Sequence, residues 1–419
     1  MAGAADRRAP MMDLPPLDLH DTLPKLLLHQ AAIRPDAVAQ REKEFGIWRS
    51  YRWSEVLTRV RAIALGLKAL GLGRGEVLAL IGRNRPNWLW AELAGHGLGA
   101  MTLGIYEDVL SSEAGYLLAH AGAAIAVAED EEQVDKLLEA SATAPALRWI
   151  VFHDDRGMRK YDDPRLVSWA ELGRRAAALD RTSPGLFERE VAAGAGEDVA
   201  ILCTTSGTTS HPKLAMLQHR PFLEHIAAYL RADPREPTDE YVSILPLPWI
   251  MEQVYVVAMP LLSGIRVSFP ESQETAMRDL REIGPTHVLL APRVWEQTAA
   301  DIRSRVMDAN APTRRLFDLA VARGQRALDA GRRDRLAELL VFSTLRDRLG
   351  FTRLRSAATG GAGLGPDTFR FFLAMGVPLR QLYGQTELSG AYTLHRANEV
   401  DFDSVGVVFD ETIELRIDR

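Results

Sequence analysis

The sequence predicts an α/β fold made of two helix-covered, mostly parallel sheets. Two observations carry that expectation. Short, wholly apolar runs such as Val77–Ile81 alternate with longer stretches whose apolar residues recur every three or four positions. These are the signatures of buried strands and of the helices that cover them. The length, 419 residues, is also too great for one simple core, so two or three packed subdomains are expected.

In chain order, residues 1–20 carry Asp6, Arg7, Arg8 and prolines at 10, 15 and 16. They read as an N-terminal arm, without the basic-then-apolar order of a secretory signal. Ser54 is expected to cap a helix whose apolar positions are Val56, Val60, Ile63, Leu67 and Leu70. Gly71, Gly73 and Gly75 stop it, and Val77–Ile81 follows as a strand. Residues 124–127 read as a strand, 131–139 as a helix and Trp149–Phe152 as another strand. A charged, less ordered stretch, 153–196, then separates a first α/β subdomain (21–196) from a second (197–399). The second resumes with a strand at 199–203, a helix near 219–231, and strands near 242–245, Arg266–Phe269 and 287–290. Residues 295–349 read as a helical, arginine-rich insertion. Strands return at 354–358 and 379–382 around a helix at 369–375. Residues 400–419 are expected to begin a small β-barrel subdomain, with 412–417 alternating like a strand.

Several function classes are excluded early. A net charge of −6 gives no electrostatic footprint for nucleic acid. The single cysteine, Cys203, rules out an intramolecular disulfide and any cysteine-based zinc cluster. It lies in an apolar run and reads as a core residue. No apolar run reaches the roughly 20 residues of a membrane span; the nearest, 254–262, contains Pro260. A reducing, cytoplasmic location is expected, with peripheral contact to the inner membrane face and self-association left open.

The strongest chemical signal is the run Thr204-Thr205-Ser206-Gly207-Thr208-Thr209-Ser210-His211-Pro212-Lys213. Hydroxyl and backbone N–H donors in a tight turn suit phosphate oxygens, and a lysine at the far end adds a mobile positive charge. It is not a Walker A sequence. By composition alone it would be a polar surface turn. Its order, ending in Pro-Lys, resembles the phosphate-binding signature of the adenylate-forming superfamily, Thr-Ser-Gly-Thr-Thr-Gly-x-Pro-Lys-Gly. Ser210 and Leu214 stand where that signature has glycines.

Further motifs follow in the order the resemblance requires. Gly360-Gly361-Ala362 resembles the adenine-contacting segment, and Tyr383-Gly384-Gln385-Thr386-Glu387 the Tyr-Gly-x-Thr-Glu motif. Leu245-Pro246-Leu247-Pro248-Trp249-Ile250-Met251-Glu252 resembles Leu-Pro-Leu-x-His-x-x-Glu, with Trp249 in place of the usual histidine. Pro292-Arg293-Val294-Trp295-Glu296 and 349–356 look like the long-chain fatty acyl-CoA synthetase branch. The resemblance runs from Leu23 to Arg419 and implies the large N-terminal domain of an adenylate-forming enzyme.

The resemblance implies roles for these residues. Thr205, Ser206, Gly207, Thr208, Thr209 and Lys213 would cradle the phosphates of ATP. Gly360, Gly361, Ala362, Tyr383, Gly384 and Gln385 would hold its adenine. Thr386 would bond the α-phosphate, and Glu387 would hold Mg2+. Lys213, Thr386 and Glu387 are therefore the expected catalytic residues. Trp249 would stand at the entrance of the fatty-acid pocket, and a core tryptophan is the alternative. Glu252 would support the site or simply begin the next helix. The implied reaction adenylates a medium- to long-chain carboxylic acid and passes the acyl group to CoA. Two alternatives stay open, a fatty acyl-AMP ligase serving a carrier protein and a non-catalytic nucleotide- or acyl-binding protein. Family members continue with a Thr-Gly-Asp motif, a hinge and a C-terminal lid domain bearing a catalytic lysine, none of which lies in residues 1–419. The 419-residue chain alone is accordingly expected to bind ATP weakly and to form acyl-CoA at a negligible rate. Robust CoA ligation by the purified chain would overturn that expectation.

Overall fold

Wholly apolar runs bounded by glycine become inner strands, because a strand covered on both faces has no side left for polar residues. The computed structural model describes residues 14–205, 212–397 and 399–416. In it, Val77–Ile81 and Ala123–Ala128 are buried at every position. The strands are β1 (Val38–Glu44), β2 (Ile47–Arg52), β3 (Val77–Ile81), β4 (Met101–Ile105), β5 (Ala123–Ala128), β6 (Trp149–Phe152), β7 (Leu166–Ser168) and β8 (Val199–Thr205). They continue as β9 (Lys213–Gln218), β10 (Glu240–Val242), β11 (Arg266–Phe269), β12 (His287–Leu289), β13 (Ser356–Thr359), β14 (Leu379–Gln385), β15 (Gly390–Leu394) and β16 (Val407–Val408).

Two sheets result, in the orders β16-β15-β14-β13-β12-β10-β11-β1-β2 and β7-β6-β5-β3-β4-β8-β9. Pairing is parallel from β14 to β1 and from β7 to β8. The edges β1–β2, β14–β15–β16 and β8–β9 are antiparallel. Sheet membership crosses residue 196: β8 and β9 complete the seven-stranded sheet, while β1 and β2 close the nine-stranded one.

Helices fill the space between the sheets. Pro86–Gly97 is buried at every residue except Asn87 and touches β1 on one side and β3 and β4 on the other. A helix apolar nearly all round has to be enclosed in this way. The passage from Ile250 to Ser263 is likewise wholly buried, with a π-helical middle, Gln253–Ala258. This absorbs the apolar run at 254–262. Among the described residues no helix is long and apolar enough to cross a membrane.

Four expectations need correction. Ser54 is not a cap, because β2 runs straight into the helix Trp53–Ala69 and the Ser54 hydroxyl donates to Pro35 O instead. Residues 153–196 are ordered: they carry β7 and the helices Trp169–Thr182 and Leu186–Ala192, the former packed on Trp53–Ala69. The strand expected at 242–245 ends at Val242, and residues 243–249 leave the sheet, where Pro246 and Pro248 lack the N–H a ladder needs. Beyond residue 400, β16 adds two residues to the sheet edge. Residues 412–416 form a turn and coil, and the described residues close no barrel.

Below the parallel strands of the larger sheet sits a buried ionic cluster. Asp233 is ion-paired with Arg235 at 2.6 Å and with Arg380, and it accepts from Ser356 Oγ at 2.9 Å. These two guanidinium groups overcome burial and hold the Asp233 carboxyl far below the usual range. Removing one partner of a buried pair leaves the other charge uncompensated. Arg380→Ala is expected to lower the unfolding free energy by about 3 kcal/mol in urea titrations. Arg396→Ala, which breaks an exposed pair with Glu399, should stay within about 0.5 kcal/mol.

Candidate active site

Parallel strands release the chain at their carboxyl ends, where ligands bind in open α/β sheets. Three of the sequence motifs begin at such ends. β8 ends at Thr205, and β9 returns so that Lys213 pairs directly opposite it. Thr205 is half-buried and Lys213 exposed. Ser206, Gly207, Thr208, Thr209, Ser210 and His211 lie outside the described residues. The carbonyl of Pro212 accepts from Tyr116 Oη at 3.3 Å, which ties the far side of the connection to the helix Ser111–Ala121.

β13 ends at Thr359 and delivers Gly360, Gly361 and Ala362. A Cβ at 360 would stand 2.3 Å from Leu382 Cδ1 and 3.0 Å from the Leu382 carbonyl of β14, so glycine lets the turn lie against that strand without displacing Leu382. β14 contains Tyr383, Gly384 and Gln385, and a 3-10 turn, Thr386–Leu388, follows. A Cβ on Gly384 would stand 2.0 Å from Gly390 O, which is what allows β15 to fold back at this point. Ser389 closes the turn in the left-handed region at φ 63°. Tyr383 is 44% exposed, with its ring edge-on to Tyr392 at 5.4 Å.

The turn Thr386–Leu388 lies against β8 and β9, the strands that end at Thr205 and begin at Lys213. Burial, with help from Glu92 and Glu387, pushes the Cys203 thiol in β8 up to about 12. That and its burial leave Cys203 as a core residue. Trp249 is half-buried, and its indole lies 3.6 Å from where a Gly361 Cβ would be. Tryptophan and the glycine turn therefore face one another. Among the described residues no group of three or more His, Cys, Asp or Glu side chains is placed to hold a metal ion by itself. Mg2+ needs only one or two carboxylates where phosphates and water complete its shell, so a lone exposed Glu387 fits it.

Glu252 lies behind Trp249, fully buried. It accepts from Tyr241 Oη at 2.8 Å and from Ser243 Oγ at 2.6 Å. Burial pushes its carboxyl up to about 8. Glu92, on the enclosed helix, is pushed up to about 7 by burial, and it accepts from Gln253 at 3.4 Å. Sequence reasoning missed Asn84 and Gln253, which bond Ser243, Leu245 and Leu247, and Tyr241 and Ser243, which bond Glu252. A cavity of about 270 Å³ runs from Asn84 and Tyr106 to Pro248. Another, of about 280 Å³, opens at the carboxyl ends of β3, β5 and β6, beside Glu129 and His153. The loop after β3 could have been suspected, because it leaves a carboxyl end just as the motif loops do.

The family described as AMP-binding enzyme matches residues 27–418. Similar curated proteins include the long-chain-fatty-acid–CoA ligase ACSBG2 of Xenopus laevis, 27% identical over 413 residues. That match covers 94% of this chain and 54% of the relative. The long-chain-fatty-acid–CoA ligase FadD15 of Mycobacterium bovis is 27% identical over 403 residues, covering 92% and 64%. The chain thus spans between about half and two thirds of the length of these relatives. Among solved structures, the anthranilate CoA ligase AuaEII in complex with anthranoyl-AMP superposes with a TM-score of 0.68 at 19% identity. It covers 94% of this chain and 65% of that one. VinN in complex with L-aspartate gives 0.65 at 18%, covering 93% and 82%. At such identities the likeness speaks for the fold.

The raised Glu252 carboxyl has a consequence for stability. The folded chain holds this proton between pH 4.5, the ordinary value, and about 8, while the unfolded chain releases it. Stability therefore falls as pH rises through that window, by up to about 1.4 kcal/mol per pH unit for one proton. Glu252→Gln should flatten that fall in urea titrations run from pH 5 to 8. An unchanged slope would mean that Glu252 is ionised in the fold.

Proposed function

The chain belongs to the AMP-binding enzyme family, and on that premise we propose that it carries the acid-activating site of an ATP-dependent fatty acyl-CoA ligase. The observation that supports this reading is the packing of the turn Thr386–Leu388, which carries Thr386 and Glu387, against β8 and β9, whose paired ends are Thr205 and Lys213. The names of the curated relatives favour a fatty acid as substrate and CoA as acceptor.

A carboxylate is a poor acyl donor, because its leaving group would be oxide. In the proposed reaction a carboxylate oxygen attacks the α-phosphorus of ATP, the bond to pyrophosphate breaks, and a mixed acyl-adenylate anhydride forms. The CoA thiolate then attacks the acyl carbon, and AMP leaves with the electron pair of the C–O bond. The protein has to bring two anions together and offset the charge that develops on phosphate oxygens. Lys213 supplies a positive charge at the start of β9, and the Thr386 hydroxyl donates to the α-phosphate. Tyr383 stacks on adenine, whose other face lies over residues 360–362. Trp249 walls the acyl side against water. Mg2+, when held through Glu387, would draw charge from the phosphates.

Acid-dependent exchange of pyrophosphate into ATP by a protein containing this chain tests the reading, screened across short, medium, long and aromatic acids. Lys213→Ala and Glu387→Ala are each expected to lower the exchange about 100-fold or more, and Thr386→Ser to retain most of it. Exchange with no acid at all, or exchange indifferent to both alanine variants, would overturn it.

A further inference from the structure

Residues 243–249 belong to neither sheet nor helix, so their backbone groups need partners from outside. Asn84 supplies three contacts. Its Nδ2 donates to Ser243 Oγ at 2.8 Å and to Leu245 O at 2.6 Å, and its Oδ1 accepts from Leu247 N at 3.2 Å. Both donor hydrogens and one acceptor of a single amide are therefore spent on one segment. Gln253 Nε2 holds Leu247 O at 2.8 Å, and Cys203 Sγ approaches Pro248 O at 3.4 Å. Trp249 N then bonds Pro246 O at 3.0 Å, which turns the chain and aims the indole.

The loop that carries Asn84 is fixed independently of these contacts. Arg83 N donates to Glu129 Oε2 at 2.6 Å, and its guanidinium pairs with Glu129 Oε1 at 2.8 Å. Arg85 reaches Glu42 at 3.3 Å and the carbonyl of Glu271 at 3.0 Å. Asn84 is thus a post on the loop that leaves β3 of the seven-stranded sheet, bonded to the segment leaving β10 of the other. Ser243 extends the connection inward to Glu252.

We propose that Asn84 is a positioning residue for acid activation: its side-chain amide holds residues 243–249, and with them Trp249, against the glycine turn at 360–362. This rests on the reading of Trp249 as the wall of the acyl side, and it adds to that reading the residue that keeps the wall in place. Asn84 touches no reacting atom and acts through the segment. Its removal is therefore expected to weaken the hold on the acid and to leave the hold on ATP alone.

Two measurements test this. Hydrogen exchange followed by mass spectrometry on the 419-residue chain needs no activity. Asn84→Ala should speed exchange of amides in 243–253 about 10-fold or more while those of β13 and β14 keep their wild-type rates. Asn84→Asp retains the acceptor for Leu247 N and loses both donors, and it should show the same localised change. In acid-dependent pyrophosphate exchange, both variants should raise KM for the acid about 10-fold with KM for ATP unchanged. Asn87→Ala, which removes a neighbouring amide bonded to His153, should change neither readout. Unaltered exchange in 243–253, or faster exchange spread evenly over both sheets, would overturn the proposal. So would equal shifts in the two KM values. If the wild type activates no acid, the functional reading fails, and the hydrogen-exchange measurement still decides whether Asn84 holds the segment.

Discussion

Parallel pairing constrains everything else in this molecule. Strands that run the same way release the chain at one edge, and the crossovers that return it must cover the faces. In the larger sheet that edge delivers residue 243 after β10, Gly360 after β13 and Thr386 after β14. In the smaller it delivers Gly82 after β3 and ends β8 at Thr205. The enclosed helix Pro86–Gly97 separates the two sheets, yet the contacts of Asn84, Cys203 and the turn Thr386–Leu388 bridge their edges. Segments far apart in sequence are thereby brought to one place without any of them being long.

Holding the edges in register is largely the task of buried polar groups. Asp233 with two arginines braces β13 and β14 from below, and Glu252 with Tyr241 and Ser243 braces the segment after β10. Apolar packing of equal volume could be as stable as such pairs, but it has no direction. Direction is what the segment at 243–249 needs, since its two prolines and its lack of ladder partners beyond the Ser243 N–H, which still bonds Ser268 O of β11, leave it no regular structure of its own. The two carboxyls next to it, Glu92 and Glu252, sit where burial disfavours their charge, and this links the bracing of the segment to protonation.

How far the sequence disclosed this depended on range. β3, β6 and β11 were legible to the residue, because each is a short run of suitable composition. The motif loops were legible because their chemistry is written in consecutive residues. The hairpin β1–β2 was not: Val38–Glu44 reads as a polar run, and its burial comes from pairing with β11 and from the Lys43 ion pairs to Asp279 and Glu282. The helix Trp169–Thr182 buries only Leu172 and Ala176, too little to stand out of a charged stretch. Asn84 was invisible for the same reason at its limit, since its partner Leu247 lies 163 residues away.

The most direct measurement is a crystal structure of the chain with an acyl-adenylate analogue in which a sulfamate replaces the phosphate. The expected complex has adenine between Tyr383 and residues 360–362, the sulfamate beside Lys213 and Thr386, and the acyl chain leaving along Trp249. Adenine seated instead in the cavity beside Glu129 and His153, with Lys213 and Thr386 remote from the sulfamate, would contradict the meeting of the two sheet edges as the site of activation.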